Sequence, residues 1–117
     1  MVSAAPAWSN DAMSNTEYTL VFGLGLKADG TPNTDVEIAI AIAALEDAAV
    51  KTCGGFTLHR GKGGWLDPGG KVVKEDVAIL MVSGSFENIK EMAGIGKRLL
   101  TTEAVYVKRP DGSTILL

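Results

Sequence analysis

The 117-residue chain predicts an α+β fold, an antiparallel sheet with two helices on one face, and three observations carry that prediction. Residues 17–26 alternate with the period of a strand. Residues 34–54 repeat at helical spacing between a capping signal and a glycine stop. Residues 55–66 and 71–82 flank Asp67-Pro68-Gly69-Gly70 and read as a hairpin.

In EYTLVFGLGL, Tyr18, Leu20, Phe22, Leu24 and Leu26 fall on one face, and Thr19, Val21, Gly23 and Gly25 on the other. The glycines mark a face that something approaches closely. After the loop KADGTPN, Thr34 and Glu37 have the spacing of a capping box. Ile38, Ala41, Ile42, Leu45 and Ala49 then form an inner stripe that runs to about Thr52 and stops at Gly54-Gly55. The strand 55–66 is expected to be interrupted by its glycines. The strand 71–82 is apolar on both faces from Val77 to Val82, so a cover on both sides is expected. Ser85 can cap a second helix with Phe86, Ile89, Met92, Ala93 and Leu99 or Leu100 inside, weakened by Gly94 and Gly96. Residues 104–108 make a fourth strand, RPDGS a turn, and TILL a short last strand. The order βαββαβ is the split-βαβ, ferredoxin-like pattern, a single domain over 16–117 behind a loose N-terminal arm, 1–15. Two helices cover one face of such a sheet. The other face is then expected to pack against copies of the same chain, a trimer being the usual closure. Trp8 in the arm reads either as an exposed tail residue or as a ring that docks on a neighbouring subunit.

Composition excludes several classes. With 46% hydrophobic and 21% charged residues the chain is globular. One cysteine, Cys53, excludes a disulfide framework and a multi-cysteine zinc site, and fits a reducing cytoplasm. One histidine, His59, excludes mechanisms that need two. A net charge of −3 gives no footprint for nucleic acid, and no apolar run reaches the roughly 20 residues that span a bilayer. There is no Ser-His-Asp constellation, metal-ligand cluster or dinucleotide fingerprint, so no cofactor or metal is expected.

The charges cluster. Residues 59–74 carry Arg60, Lys62, Lys71 and Lys74 against Asp67 alone, a local +3 that leaves −6 on the rest. With His59 and Gly61, Gly63 and Gly64, these cations make a candidate cradle for a phosphate or carboxylate, since glycines let backbone N–H groups face an anion. A solvated hairpin with a glycine-rich tip is the plainer alternative. Glu75 and Asp76 are adjacent on a strand and must point to opposite faces, so one of them enters apolar surroundings. A buried carboxylate is either paired or shifted in pKa, which is how a general base is made. Glu75 is the candidate catalytic residue, against the alternative of a carboxylate paired with Arg60 or Lys62 across the hairpin. His59 reads as a ligand contact or a cross-strand surface partner, and Trp65 and Tyr106 as flanks of a planar ligand or as packing. Ser83-Gly84-Ser85 offers N–H groups at a helix start, where capping is the simpler role.

The hairpin GFTLHRGKGGWLDPGGKVVKED resembles one in short bacterial and phage proteins that share a GxT…GxGxW…G…E arrangement on a ferredoxin-like fold, here Gly55, Thr57, Gly61, Gly63, Trp65, Gly70 and Glu75. Over residues 17–117 the topology also resembles the PII-like phage S-adenosylmethionine lyases. The matching features are an aromatic on the second strand (Trp65), Gly70, Glu75 on the third and the closing AVYV. A tryptophan stands where a tyrosine-like aromatic is expected, and DPGGK looks like an insertion. The resemblance implies a trimer that holds its ligand between subunits and cleaves a sulfonium by intramolecular attack. Three functions follow as expectations. The first is an oligomer that binds an anionic or nucleotide-like metabolite at its interfaces, through His59, Arg60, Lys62, Gly63, Gly64, Trp65, Lys71 and Tyr106. The second is a lyase using Glu75 and Trp65, and the third is a structural module.

Overall fold

A computed structural model describes residues 16–117, and the arm 1–15 with Trp8 lies outside the described residues. The elements are β1 (Glu17–Gly23), α1 (Asp35–Cys53), β2 (Thr57–Leu66), β3 (Val72–Ser83), α2 (Phe86–Leu100), β4 (Tyr106–Lys108) and β5 (Thr114–Leu116). They form one antiparallel sheet in the order β2-β3-β1-β4-β5. This is the expected α+β ferredoxin-like fold, with β5 added beside β4.

Both helices begin as the sequence dictates. Thr34 Oγ1 accepts from Glu37 N at 3.1 Å while Glu37 Oε1 accepts from Thr34 N at 2.9 Å, closing the capping box. Gly54 ends α1 at φ 85°, a left-handed conformation open to glycine at little cost. Ser85 and Asn88 form the reciprocal pair on α2. The helices pack against one sheet face, burying Leu20, Phe22, Leu24, Leu80 and Val107 of the strands with Leu45, Ile89, Met92 and Leu100. Ala41 and Ala49 bring α1 close to that face.

Three details differ from the sequence expectation. β1 ends at Gly23 rather than residue 26 because its ladder with β3 stops at the Gly23–Val77 pair. One more backbone bond to β3 follows, Leu24 N to Asp76 O at 2.9 Å, and the N–H groups of Gly25 and Leu26 then go to a side chain. β2 is continuous through its glycines, ten residues paired in register with β3. Gly96 is buried against the Phe22 ring, where even a Cβ would collide. It is a packing requirement as well as a weak helix former.

The second sheet face carries Val21, Val73, Val77, Ile79, Met81, Tyr106 and Leu116 and has no helix over it. Tyr106 is 45% and Leu116 67% exposed. β2 and β3 also run past the end of β1 as a free hairpin, with Trp65, Leu66 and Val72 exposed near its tip. No helix among the described residues is long and apolar enough to cross a membrane.

Candidate functional site on the uncovered sheet face

β-Strand alternation divides the predicted site residues between two faces. His59, Gly63, Trp65, Glu75 and Tyr106 share the uncovered face, as their register with Ile79, Val73 and Val21 requires. Arg60, Lys62 and Gly64 point to the helix side. There Lys62 Nζ binds Asp76 Oδ1 at 2.7 Å across the hairpin, and this ammonium holds the Asp76 carboxyl below its ordinary pKa. Arg60 borders a groove of about 410 Å³ along α1, lined also by Asp35, Ile38, Ile42 and Glu46. Lys71 sits in the tip turn, where its N–H donates to Asp67 Oδ1 at 2.9 Å. Within one chain the hairpin cations therefore do not converge on the face that holds His59 and Trp65. His59 and Tyr106 occupy one transverse row of that face with Ile79 and Val21 between them. Three strand spacings, about 14 Å, separate them.

Glu75 is the organised group. It is 9% exposed and stands where β1 has ended. Its Oε1 accepts from Gly25 N at 2.7 Å and from Leu26 N at 3.0 Å, the two donors just past the last backbone bond from this segment to β3. Its Oε2 lies over Gly23, where a Cβ would come within 2.8 Å of it. A Cβ at Gly25 would stand 3.0 Å from that of Glu75. The body that approaches the glycine face of β1 is thus this side chain. Among the described residues no donor reaches Oε2, which leaves one anionic oxygen for a partner. Asp76, one residue on, is the exposed cross-hairpin ion pair.

Gly23, Gly25 and Leu26 belong to this site and were not assigned to it from sequence. The signal was present: an antiparallel β1–β3 pair that sets Gly23 opposite Val77 puts Gly25 opposite Glu75. It needed the register, which a sequence does not print. Gly63, directly across from Glu75, is explained by Val77, whose Cγ1 would meet a Cβ there at 2.7 Å. Its hydrogen is a packing contact rather than an opening. Ser83-Gly84-Ser85 serves α2 capping through Ser85 and Asn88. No group of three or more His, Cys, Asp and Glu among the described residues could hold a metal ion.

Comparison with known proteins places the fold. The chain resembles a phage SAM lyase in complex with S-methyl-5'-thioadenosine, with a TM-score of 0.58, 16% identity, and 89% of this chain and 91% of that one covered. The apo phage SAM lyase gives a TM-score of 0.52 and 15% identity over 88% of both chains. A Bacillus cereus protein related to NIF3 gives 0.51 and 13% identity, covering 97% of this chain and 27% of that one. No family model and no curated protein matches. The class defined is the ferredoxin-like fold, and the particular relation is a distant structural resemblance to the phage SAM lyase.

Proposed function

We propose that this protein is a homo-oligomer, three copies closing on their uncovered sheet faces, that binds a small nucleoside-type ligand at the seams. Glu75 holds a positive charge or hydrogen-bond donors of that ligand, and Trp65 supplies a stacking surface, a cation–π partner for a cationic centre. The observation that carries this reading is Glu75: a nearly buried carboxylate with one oxygen fixed by two backbone N–H groups and the other without a donor. A carboxylate so fixed recognises without reorganising. The uncovered apolar face supports self-association, because large exposed apolar surfaces mark interfaces. The fold shared with a lyase bound to S-methyl-5'-thioadenosine supports a nucleoside as the ligand class. His59 and Tyr106, far apart on one chain, line opposite sides of a seam once copies meet.

A second reading is enzymatic, cleavage of a sulfonium nucleoside with Glu75 beside the reacting centre, and the same carboxylate favours it. An anionic ligand held by Arg60, Lys62 and Lys71 fits less well, since Lys62 is engaged by Asp76 and Arg60 faces α1. Thermal shift with S-adenosylmethionine, S-methyl-5'-thioadenosine and ATP separates these. The proposal expects stabilisation by one of the two thioether or sulfonium nucleosides, lost in Glu75→Gln and kept in Lys62→Ala. Release of S-methyl-5'-thioadenosine on incubation would establish the enzyme. Stabilisation by ATP alone, lost in Arg60→Ala, would overturn the assignment to Glu75.

A further inference from the structure

Asn33 is a polar side chain inside the protein. It directly precedes the N-cap of α1 and is 8% exposed. Its Nδ2 donates to Leu100 O at 3.1 Å, while its Oδ1 finds no donor among the described residues. A buried acceptor without a partner costs stability, so stability alone does not account for an asparagine here. The far end of its hydrogen bond is unusual as well. Thr101, the C-cap of α2, sits at φ 54°, the one residue other than glycine in the left-handed region among the described residues. A β-branched residue is strained there, and such strain persists only where the surroundings impose it.

The loop between β1 and α1 imposes it. A helix end leaves its last carbonyls open. Here Leu100 O takes the Asn33 side-chain amide, and Thr101 O takes Ala28 N at 2.7 Å. The main chain of Asn33 reaches the other way. Its N–H donates to Gly25 O at 3.0 Å. That carbonyl belongs to the same peptide unit as the Leu26 N–H, which donates to Glu75 Oε1. Asn33 and Glu75 therefore hold one peptide plane from its two opposite ends. A flip of this plane would break both bonds and turn a carbonyl towards the carboxylate. Bonds in such a chain also polarise one another, so each strengthens the next.

We propose that Asn33 is a positioning residue of the Glu75 site: it fixes the Gly25–Leu26 peptide that presents its N–H to Glu75, and ties that peptide to the end of α2. Its bearing on function rests on the reading of Glu75 as the ligand's carboxylate, whereas the positioning itself is testable without ligand. Asn33→Ala keeps the backbone N–H and removes the anchor on Leu100. In the full-length protein, amide hydrogen exchange at Gly25 and Leu26 is expected to rise about tenfold or more, while Leu20, in the middle of the β1–β3 ladder, keeps its protection. The proton shifts of the Gly25 and Leu26 amides, set by their charged acceptor, should move towards those of Glu75→Gln. Ser85→Ala, which removes the cap at the opposite end of α2, should leave both amides as in the wild type. Asn33→Ser, with a shorter stem, carries the same test if Asn33→Ala does not fold. Unchanged exchange and shifts at Gly25 and Leu26 in a folded Asn33 variant, or an equal rise in Ser85→Ala, would overturn the proposal. If no nucleoside stabilises the wild type, the ligand reading falls and the exchange result still decides the role of Asn33.

Discussion

Two glycines of α2 show how one residue type answers to different physics. Gly94 has open space where a Cβ would go, so Gly94→Ala is expected to stabilise by about 1 kcal/mol through helix propensity alone. Gly96 would drive its Cβ into the Phe22 ring, which is 1% exposed and has nowhere to move. Overpacking costs about 1–3 kcal/mol, more than propensity returns, so Gly96→Ala is expected to lower stability. Urea unfolding of the two variants decides it, and stabilisation by both would show that the ring yields. At Gly23 the obstacle is the Glu75 carboxylate itself. Gly23→Ala is therefore expected to cost ligand response more than stability, read by thermal shift with and without the nucleosides.

At the scale of elements, the caps carry the charge linkage. Glu37 is held below its ordinary pKa first by the Thr34 N–H and then by Lys27, whose Nζ lies 2.9 Å from Oε2. A depressed carboxylate contributes stability that is present above its unfolded pKa, about 4.3, and is lost as pH falls through its folded value. Glu37→Gln retains the capping acceptor but not the charge. Its urea midpoint should lie below that of the wild type at pH 6 and converge with it towards pH 3. A gap that is constant with pH would remove Glu37 from the acid response. Asp76 behaves with the same sign, through Lys62, in an exposed pair that contributes little. The caps and inner stripes of both helices were legible in the sequence because they depend on residues three and four apart. The early end of β1 was not, because Glu75 lies about fifty residues from the N–H groups it takes.

For the whole molecule, the unequal covering of the sheet is the dominant feature. Ile79 lies at the centre of the open face, between His59 and Val21 in register. Ile79→Lys should reduce the sedimenting mass to that of one chain while far-ultraviolet circular dichroism is kept. A folded variant of unchanged mass would mean that the copies do not meet on this face. The double apolar character of Val77–Val82 already pointed to a second cover, and Glu75, two residues ahead of that stretch, already stood out. What the sequence could not divide was the basic hairpin. Its cations look contiguous along the chain, yet the period of two sends Arg60 and Lys62 to one side and His59 and Trp65 to the other.

Local chemistry alone therefore determined the element order, the Thr34–Glu37 capping box, the Ser85 cap and the inner faces of the helices, and that one of Glu75 and Asp76 had to leave the solvent-facing side. These rest on periodicity and on spacings within one helical turn or one strand. Only the tertiary structure decided that the Gly23–Gly25 face receives Glu75, that Gly96 receives Phe22, and that Asn33 meets the end of α2. Each of these depends on strand register or helix orientation, which bring together groups far apart in the chain.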